Sequence, residues 1–262
     1  MNQQERCLWL IRTLLDETPQ YRDIAVPLGA ERRWQLLRSL MNVRPPMPVT
    51  DEFLRVQDEF LKEMTAEKGI TDGDSLPACP GDPHLVLWQG DITTLRCDAI
   101  VNAANSQLLG CFSPCHGCID NIIHTMSGVQ LRLACDELMR AQGYEEPTGQ
   151  AKITPGFNLP ARYVLHTVGP IIDDEVTEGD EALLASCYCS CLELAGQNSL
   201  QSVAFCCIST GVFRFPPDRA AGIAVRTVKE FLQGETSVRR VIFNVFKDSD
   251  LAIYRELLEQ GE

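Results

Sequence analysis

The sequence predicts an α/β fold in which helices cover both faces of a sheet, preceded by a small helical extension. After His84, short β-rich runs alternate with helical stretches, a pattern typical of α/β sheets. The first 68 residues show only helical apolar periodicity, and turn-forming residues at 69–83 separate the two parts. We therefore expect a helical extension at residues 1–75 and an α/β domain at residues 76–262.

The extension is predicted to contain helices at residues 5–15, 30–41 and 51–64. Thr50 and Asp51 are N-cap candidates for the third helix, and the proline-rich segment 44–48 ends the second. Apolar residues recur along one face of each helix. We expect these faces to pack on the neighbouring domain.

In the α/β part, the pattern predicts strands at 84–89, 97–102, 162–168, 202–208 and 239–246. It predicts helices at 119–141, 180–196, 217–232 and 249–260. In such sheets, ligands bind in the crevice beyond the carboxyl ends of the strands. The loops that follow these strands are therefore where binding residues are expected.

Composition limits the classes of partner. A net charge of −13 argues against nucleic acid bound through its phosphates. No apolar run approaches the roughly 18 residues that a membrane span needs, and no signal pattern is visible at the start, so we expect a cytoplasmic protein without a membrane partner. In that setting, the 12 cysteines indicate reduced thiols rather than disulfides.

The segment Cys111-Phe-Ser-Pro-Cys-His-Gly-Cys118 places three thiols and an imidazole just before a predicted helix. Zinc favours these ligands, and a site with three protein ligands keeps a fourth position open, whereas a site with four is structural. The spacing is not a common structural zinc signature, and ordinary buried cysteines explain it equally well. Backbone N–H groups at the helix start would also attract an anion. The sequence therefore leaves metal binding open here.

Three further loops carry candidate ligand-binding residues. Asp91 could accept a hydrogen bond from an exocyclic amine such as that of adenine, or simply cap its own turn. Asn102-Ala-Ala-Asn105 presents two amides separated by small residues. Ser209-Thr-Gly-Val-Phe213 could hold a pyrophosphate through backbone N–H groups, or be an ordinary strand-to-helix turn.

Taken together, these segments resemble the macrodomain family, whose fold binds ADP-ribose. The resemblance covers about residues 84–262 and implies a three-layer α/β/α fold with a mixed sheet. It is carried by Gly90-Asp-Ile-Thr93, Asp98-Ala-Ile-Val-Asn-Ala-Ala-Asn105, Ile119-Asp-Asn-Ile-Ile-His124, Thr148-Gly-Gln-Ala151, Thr154-Pro-Gly-Phe-Asn-Leu-Pro160, Tyr163-Val-Leu-His-Thr-Val-Gly-Pro170 and Ser209-Thr-Gly-Val-Phe213.

Within that family, the chain resembles the zinc-containing bacterial ADP-ribosylhydrolases, which carry an N-terminal helical extension. That subgroup replaces a glycine run in the first ligand loop with a Cys, His, Cys set. The set maps onto Cys111, His116 and Cys118, so the resemblance implies Zn²⁺ at these residues. Cys115 is expected to stand outside the metal shell.

The resemblance also implies roles for other residues. Asn105 and Asp120 would be catalytic, beside the distal ribose. Because Asp120 lies at a helix N-terminus, we expect its carboxylate to be ionised near neutral pH. The residues expected to bind substrate are Asp91 and Ile92 at the adenine, and Asn102, Ile119, Asn121, Ser209, Thr210, Gly211, Val212 and Phe213 along the rest of the nucleotide. His124 and His166 are expected to be core histidines.

The expected activity is therefore zinc-dependent hydrolysis that removes mono-ADP-ribose from acidic side chains of modified proteins and releases ADP-ribose. Two alternatives stay open: a non-catalytic ADP-ribose reader, and an O-acetyl-ADP-ribose deacetylase with a structural zinc. The resemblance also implies a protein partner, a lipoyl-carrier protein modified by a sirtuin-like transferase.

Overall fold

The computed structural model describes residues 1–259, and its N-terminal part consists of helices. They are α1 (Gln3–Glu17), α2 (Ala30–Val43) and α3 (Asp51–Lys68). Asn2 and Glu5 form a capping box at the start of α1, and the Thr50 side chain accepts a hydrogen bond from Phe53 N at the start of α3. The predicted helices are confirmed, each within a few residues of its expected bounds.

The apolar faces of these helices pack mainly on one another rather than on the neighbouring domain as expected. They enclose a core of their own, separate from that of the sheet, which includes Leu10, Ile11, Leu37, Phe53, Val56 and Leu61. Amphipathic helices that pack side by side can bury their apolar stripes mutually. Contact with the α/β part is left largely to polar side chains on the outer faces, as described below.

The α/β part is built on strands β1 (Thr71–Asp72), β2 (Leu85–Gln89), β3 (Leu95–Arg96), β4 (Ala99–Ala103), β5 (Ala151–Pro155), β6 (Tyr163–Thr167), β7 (Ser202–Phe205) and β8 (Arg240–Val245). A six-stranded sheet has the order β2-β8-β7-β4-β6-β5, and β1 pairs with β3 separately. All pairs in the large sheet are parallel except β5 with β6. The predicted mixed sheet is therefore confirmed.

Helices cover both faces of this sheet. They are α4 (Ile119–Ser127), α5 (Val129–Gln142), α6 (Glu178–Gln197), α7 (Pro217–Phe231) and α8 (Asp248–Glu259). Successive residues of a strand point to opposite faces, and all four residues of β7 are buried, so both faces are covered. Residue 260, where the last predicted helix ends, lies outside the described residues.

Several elements differ from expectation, among them the two-residue strands β1 and β3, which were not predicted. The helix predicted at 119–141 is two helices, because Gly128 has a φ of 97° and a Cβ there would lie 2.6 Å from Gln57 Nε2. The edge strand β5 was not predicted. It pairs antiparallel with β6, and its alternation is weak because three of its five residues are only partly buried.

The parallel strands β2, β4, β7 and β8 end at the same edge of the sheet, so the loops that follow them converge there.

The domain boundary at residue 75 stays a prediction. Residues just before it already contact the α/β part, since β1 pairs with β3 and Arg240 Nε donates to Gly73 O. Among residues 1–259, no helix is long and apolar enough to cross a membrane.

Candidate active site

A cleft of about 940 Å³ opens at this edge of the sheet, a volume within the range usual for small-molecule sites. The loops after β2, β4, β7 and β8 line it, together with side chains from α2 and α3. Nearly all predicted site residues line the cleft. The exceptions are Asn102 and Asn121, which lie behind its wall.

The predicted metal ligands come together at one end of the cleft. One ligand atom from each of Cys111, His116 and Cys118 lies within 4.8 Å of the others. Around a tetrahedral zinc with Zn–S bonds of about 2.3 Å, ligand atoms are roughly 3.5–4 Å apart, so small movements would complete the site. The group is partly exposed to the cleft, which leaves room for a further ligand.

The sulfur of Cys118 also caps helix α4, accepting a hydrogen bond from Asn121 N at 3.4 Å. The pKa of the Cys118 thiol is raised to about 11, mainly by burial, while the hydrogen bond from Asn121 N acts to lower it and the nearby Cys111 acts to raise it. The Cys118 thiol therefore stays protonated at pH 7 unless a cation lies beside it. The donor set therefore suits a thiophilic metal, because metal binding converts thiols into thiolates.

Cys115 turns away from this group. Its Sγ donates to Gln35 O at 3.3 Å and lies 3.2 Å from Ser39 Oγ, both on α2. It is not among the side chains whose ligand atoms cluster, which agrees with its expected place outside the metal shell.

Asp120 is buried at the start of α4, two residues after the last cysteine of the loop. Asn102 Nδ2 donates to Asp120 Oδ1 at 2.8 Å, and Asn105 Nδ2 donates to Oδ2 at 3.3 Å. Burial raises the pKa of Asp120 to about 6, although Asn102 and the charge of Arg132 act to lower it. Desolvation therefore outweighs the helix terminus, which favours the charged form. At pH 7 the carboxylate still predominates.

Asn102 and Asn121 make their side-chain contacts with the protein itself. Asn102 lies 3.2 Å from His166 Nδ1 in addition to its bond to Asp120. The Asn121 amide donates to Cys111 O at 3.2 Å and to Ser113 O at 2.9 Å. Both side chains therefore hold site residues in place, and their predicted contact with substrate stays a prediction.

At the other end of the cleft, Asp91 follows β2. Its Oδ1 accepts hydrogen bonds from Thr93 N (3.0 Å) and Thr93 Oγ1 (2.6 Å), and its Oδ2 pairs with Lys68 Nζ at 2.9 Å. Burial acts to raise the pKa of Asp91, but these bonds together bring it below the usual value. The side chain thus caps its own turn and also presents a fixed carboxylate to the cleft, next to Ile92. Phe246, 77% exposed, lies at the rim rather than in the core.

The loop from Ser209 to Phe213 lies between the two ends. Ser209 has a φ of 65°, in the left-handed region that non-glycine residues rarely adopt, and its buried Oγ has no hydrogen-bond partner. Within residues 1–259, the structure gives no partner for the backbone N–H groups of Gly211, Val212 and Phe213. Such a loop can bind phosphate oxygens.

A second group of possible ligands lies deeper, below Asp120. The ligand atoms of His124, Cys135 and His166 also lie within 4.8 Å of one another, and all three residues are buried. By residue type this group could hold a metal. However, His166 already pairs with Asn102 at Nδ1 and with Thr154 Oγ1 at 2.9 Å at Nε2, and burial lowers its pKa to about 3.

The extension contributes residues that sequence analysis did not place in the site. Trp34 and Arg38 of α2 and Lys68 of α3 line the cleft. No local signal marks them, because an Arg, a Lys or a Trp on an amphipathic helix is usually a solvated or core-edge side chain. Only the packing of the extension against the α/β part brings them to the cleft.

Comparison with known proteins agrees with this architecture. Residues 101–224 match the family described as Macro domain. The chain is 54% identical to a protein-ADP-ribose hydrolase of Treponema medium, over 98% of this chain and 100% of the relative. It is 53% identical to a protein-ADP-ribose hydrolase of Staphylococcus aureus (strain MSSA476), over 96% of this chain and 94% of the relative.

A solved structure of a mutant Oceanobacillus iheyensis macrodomain with ADPR superposes with a TM-score of 0.63 at 42% sequence identity. The match covers 69% of this chain and 94% of that one. The chain shares its sequence with these relatives over nearly its whole length and shares its fold with the solved macrodomain. It therefore belongs to the macrodomain family and, within it, to the protein-ADP-ribose hydrolases.

Proposed function

We propose that the protein is a zinc-dependent hydrolase that removes mono-ADP-ribose from acidic side chains of modified proteins. The observation that carries this proposal is the proximity of Cys111, His116 and Cys118 to Asp120 at one end of the cleft. A fixed carboxylate, Asp91, lies at the opposite end. The cleft therefore offers two distinct polar ends to one elongated ligand.

In this proposal the adenine lies against Asp91 and Ile92, whose carboxylate and backbone would recognise the base edge. The pyrophosphate lies on the N–H groups of the Ser209–Phe213 loop and on those of Ile119 and Asp120 at the start of α4, where the helix dipole favours an anion. The distal ribose then reaches Asn105 and Asp120. Its anomeric carbon carries the ester to be hydrolysed.

Hydrolysis adds water across that ester and yields ADP-ribose and a free carboxyl group. Asn102 and Asn105 each donate to one oxygen of Asp120, which fixes the plane of its carboxylate and leaves lone pairs to accept a hydrogen bond from water or a ribose hydroxyl. A bound zinc ion would supply Lewis acidity at this end of the cleft. Cys111, His116 and Cys118 would hold it.

The first experiment measures release of ADP-ribose from a protein mono-ADP-ribosylated on Asp or Glu. Zinc-loaded protein is compared with chelator-treated protein whose fold is checked by circular dichroism, and zinc is then added back. Loss and recovery of turnover would support the proposal. Turnover that survives zinc removal would contradict the zinc dependence.

The same assay separates the alternatives. Tight binding of ADP-ribose without release from any modified protein would identify a reader. Turnover of O-acetyl-ADP-ribose but not of the modified protein would identify a deacetylase. A lipoyl-carrier protein modified by a sirtuin-like transferase, the partner implied by the sequence resemblance, is the natural substrate to include beside a generic modified protein.

A further inference from the structure

We infer that helix α2 of the extension is part of the metal site, and that Arg38 is a positioning residue that holds His116 for metal binding. This inference rests on the proposed zinc site. In this inference the extension orders the loop 111–118 before the metal binds.

The guanidinium of Arg38 makes the most direct connection. Its Nη2 donates to the backbone oxygen of His116 at 2.7 Å and to Asn121 Oδ1 at 2.7 Å. The Asn121 amide in turn donates to the backbone oxygens of Cys111 and Ser113. One arginine therefore fixes the histidine ligand directly and the first cysteine ligand through a single intermediate side chain.

A second connection lies one turn further along α2. Asn42 Oδ1 accepts a hydrogen bond from Cys115 N at 2.9 Å, and Asn42 Nδ2 donates to Thr125 Oγ1 at 3.0 Å in α4. Cys115 has a φ of 52°, so the loop turns sharply at this point. Asn42 of α2 therefore fixes the turn at Cys115, which lies between the ligands Cys111 and His116.

Arg132 of α5 links the same parts from the other side. Its Nε donates to Leu109 O at 2.6 Å, and its Nη1 donates to Met41 O at 3.0 Å near the end of α2. Its guanidinium also lies 4.2 Å from the centre of the Phe112 ring. The loop is therefore held between α2 and α5 on both sides of the metal ligands.

These contacts add to the bonds that Asn121 and Asn105 make with the loop, and together they order it. Gly110 and Gly117 flank ligand positions, and a loop that binds a metal must lose the conformational entropy of its backbone. A loop ordered beforehand loses less on binding. Groups that orient metal ligands typically change metal affinity by about 10- to 100-fold when they are removed.

The test compares Arg38→Ala and Arg38→Lys with Arg32→Ala, an exposed arginine on the same helix. Zinc affinity is measured by competition with a chromophoric chelator, and the melting temperature of chelator-treated protein is recorded separately. We expect Arg38→Ala to weaken zinc binding by about 10-fold and Arg38→Lys, which keeps one donor for His116 O, by less. Arg32→Ala should leave it unchanged.

A purely structural role for Arg38 would lower the melting temperature without changing zinc affinity, and that result would overturn the inference. Equal zinc affinity in all variants would overturn it too. If Arg38→Ala does not fold, Arg38→Lys and Arg38→Met decide by the same criterion. A wild-type protein that binds no zinc would overturn both the inference and the proposed metal site, whereas zinc binding insensitive to Arg38 overturns the inference alone.

Discussion

Two groups of side chains in this protein have similar composition and very different surroundings. The loop group consists of Cys111, His116 and Cys118, and the core group consists of His124, Cys135 and His166. The loop group is partly exposed and lines the cleft, whereas the core group is fully buried. Burial raises the pKa of Cys135 to about 12 and lowers that of His166 to about 3, so the core group is neutral at pH 7.

Both groups are candidate metal sites by ligand type and distance, so their surroundings must decide between them. In the core group, the thiol is kept protonated by burial, and His166 has both ring nitrogens paired. A metal would have to displace these hydrogen bonds and bring its charge into the interior. The loop group lies at the surface of the cleft, so a metal there would not bring its charge into the interior, and binding would need only the loss of the thiol protons. We therefore expect zinc in the loop group and none in the core group, where His166 is held by hydrogen bonds.

Substitution of the candidate metal ligands should give the largest difference in zinc content between variants of the loop group and of the core group. His116→Ala or Cys118→Ser should abolish stoichiometric zinc and reduce turnover by roughly 1,000-fold, because the loss of Lewis acidity is worth several kcal/mol. The matched change Cys135→Ala should keep one zinc per chain. Metal content by mass spectrometry and ADP-ribose release measure both effects. Loss of zinc from Cys135→Ala alone would reverse the assignment.

The next largest effect is expected at Asp120, which lies between the groups: its Oδ1 is 3.5 Å from His124 Nε2. Asp120→Asn should lower kcat by about 100-fold or more, because an amide cannot accept a proton, while zinc content stays at the wild-type level. Steady-state kinetics and metal analysis check this. Activity within tenfold of wild type would remove Asp120 from the catalytic residues.

Acid should destabilise the core group. Burial keeps the pKa of both buried histidines below the ordinary value, so their contribution to stability is complete above about pH 6.5 and is lost as the pH falls. The raised pKa of Asp120 partly offsets this, since the folded state then binds a proton. We expect the free energy of unfolding to fall by about 2 kcal/mol between pH 7 and pH 5.

Urea unfolding at the two pH values measures this change. A chelator must be present in both series, because acid would also release metal from the loop group and lower stability for a separate reason. An unfolding free energy that is equal or higher at pH 5 would mean that the buried histidines are charged in the folded protein.

The smallest effect is expected at the spare thiol. Cys115→Ser should change zinc affinity by less than about threefold, since the hydroxyl can still donate to Gln35 O and the backbone bond to Asn42 is unaffected. The chelator competition described above measures it. A tenfold loss would place Cys115 in the metal shell.

Much of this architecture is readable from sequence. Alternating β-rich and helical runs predicted five of the strands and most helices, and the resemblance to zinc-containing relatives selected the loop group, which lies just before a helix as expected. Gly128 was overlooked because apolar residues continue on both sides of it, so the helical pattern hides the break. The edge strand β5 was missed because three of its five residues are only partly buried, so apolar and polar residues do not alternate clearly along it.

Packing between segments that are distant in the chain could not be predicted from the sequence. The roles of Arg38 and Asn42 depend on the orientation of α2 against a loop more than 70 residues later, which no periodicity encodes. The helix terminus is visible in sequence and gave the charge of Asp120 at neutral pH, whereas its raised pKa follows from burial, which is not visible there.

The extension contacts the cleft at both ends, through Arg38 at the metal loop and through Lys68 at Asp91. Protein engineers often trim chains to the conserved fold, and here a chain starting at residue 76 would retain the sheet, Asp120 and all three metal ligands. It would nevertheless lose the two cations that hold opposite ends of the cleft. Deletion of the extension should therefore disturb both ends of the cleft even though the sheet stays intact.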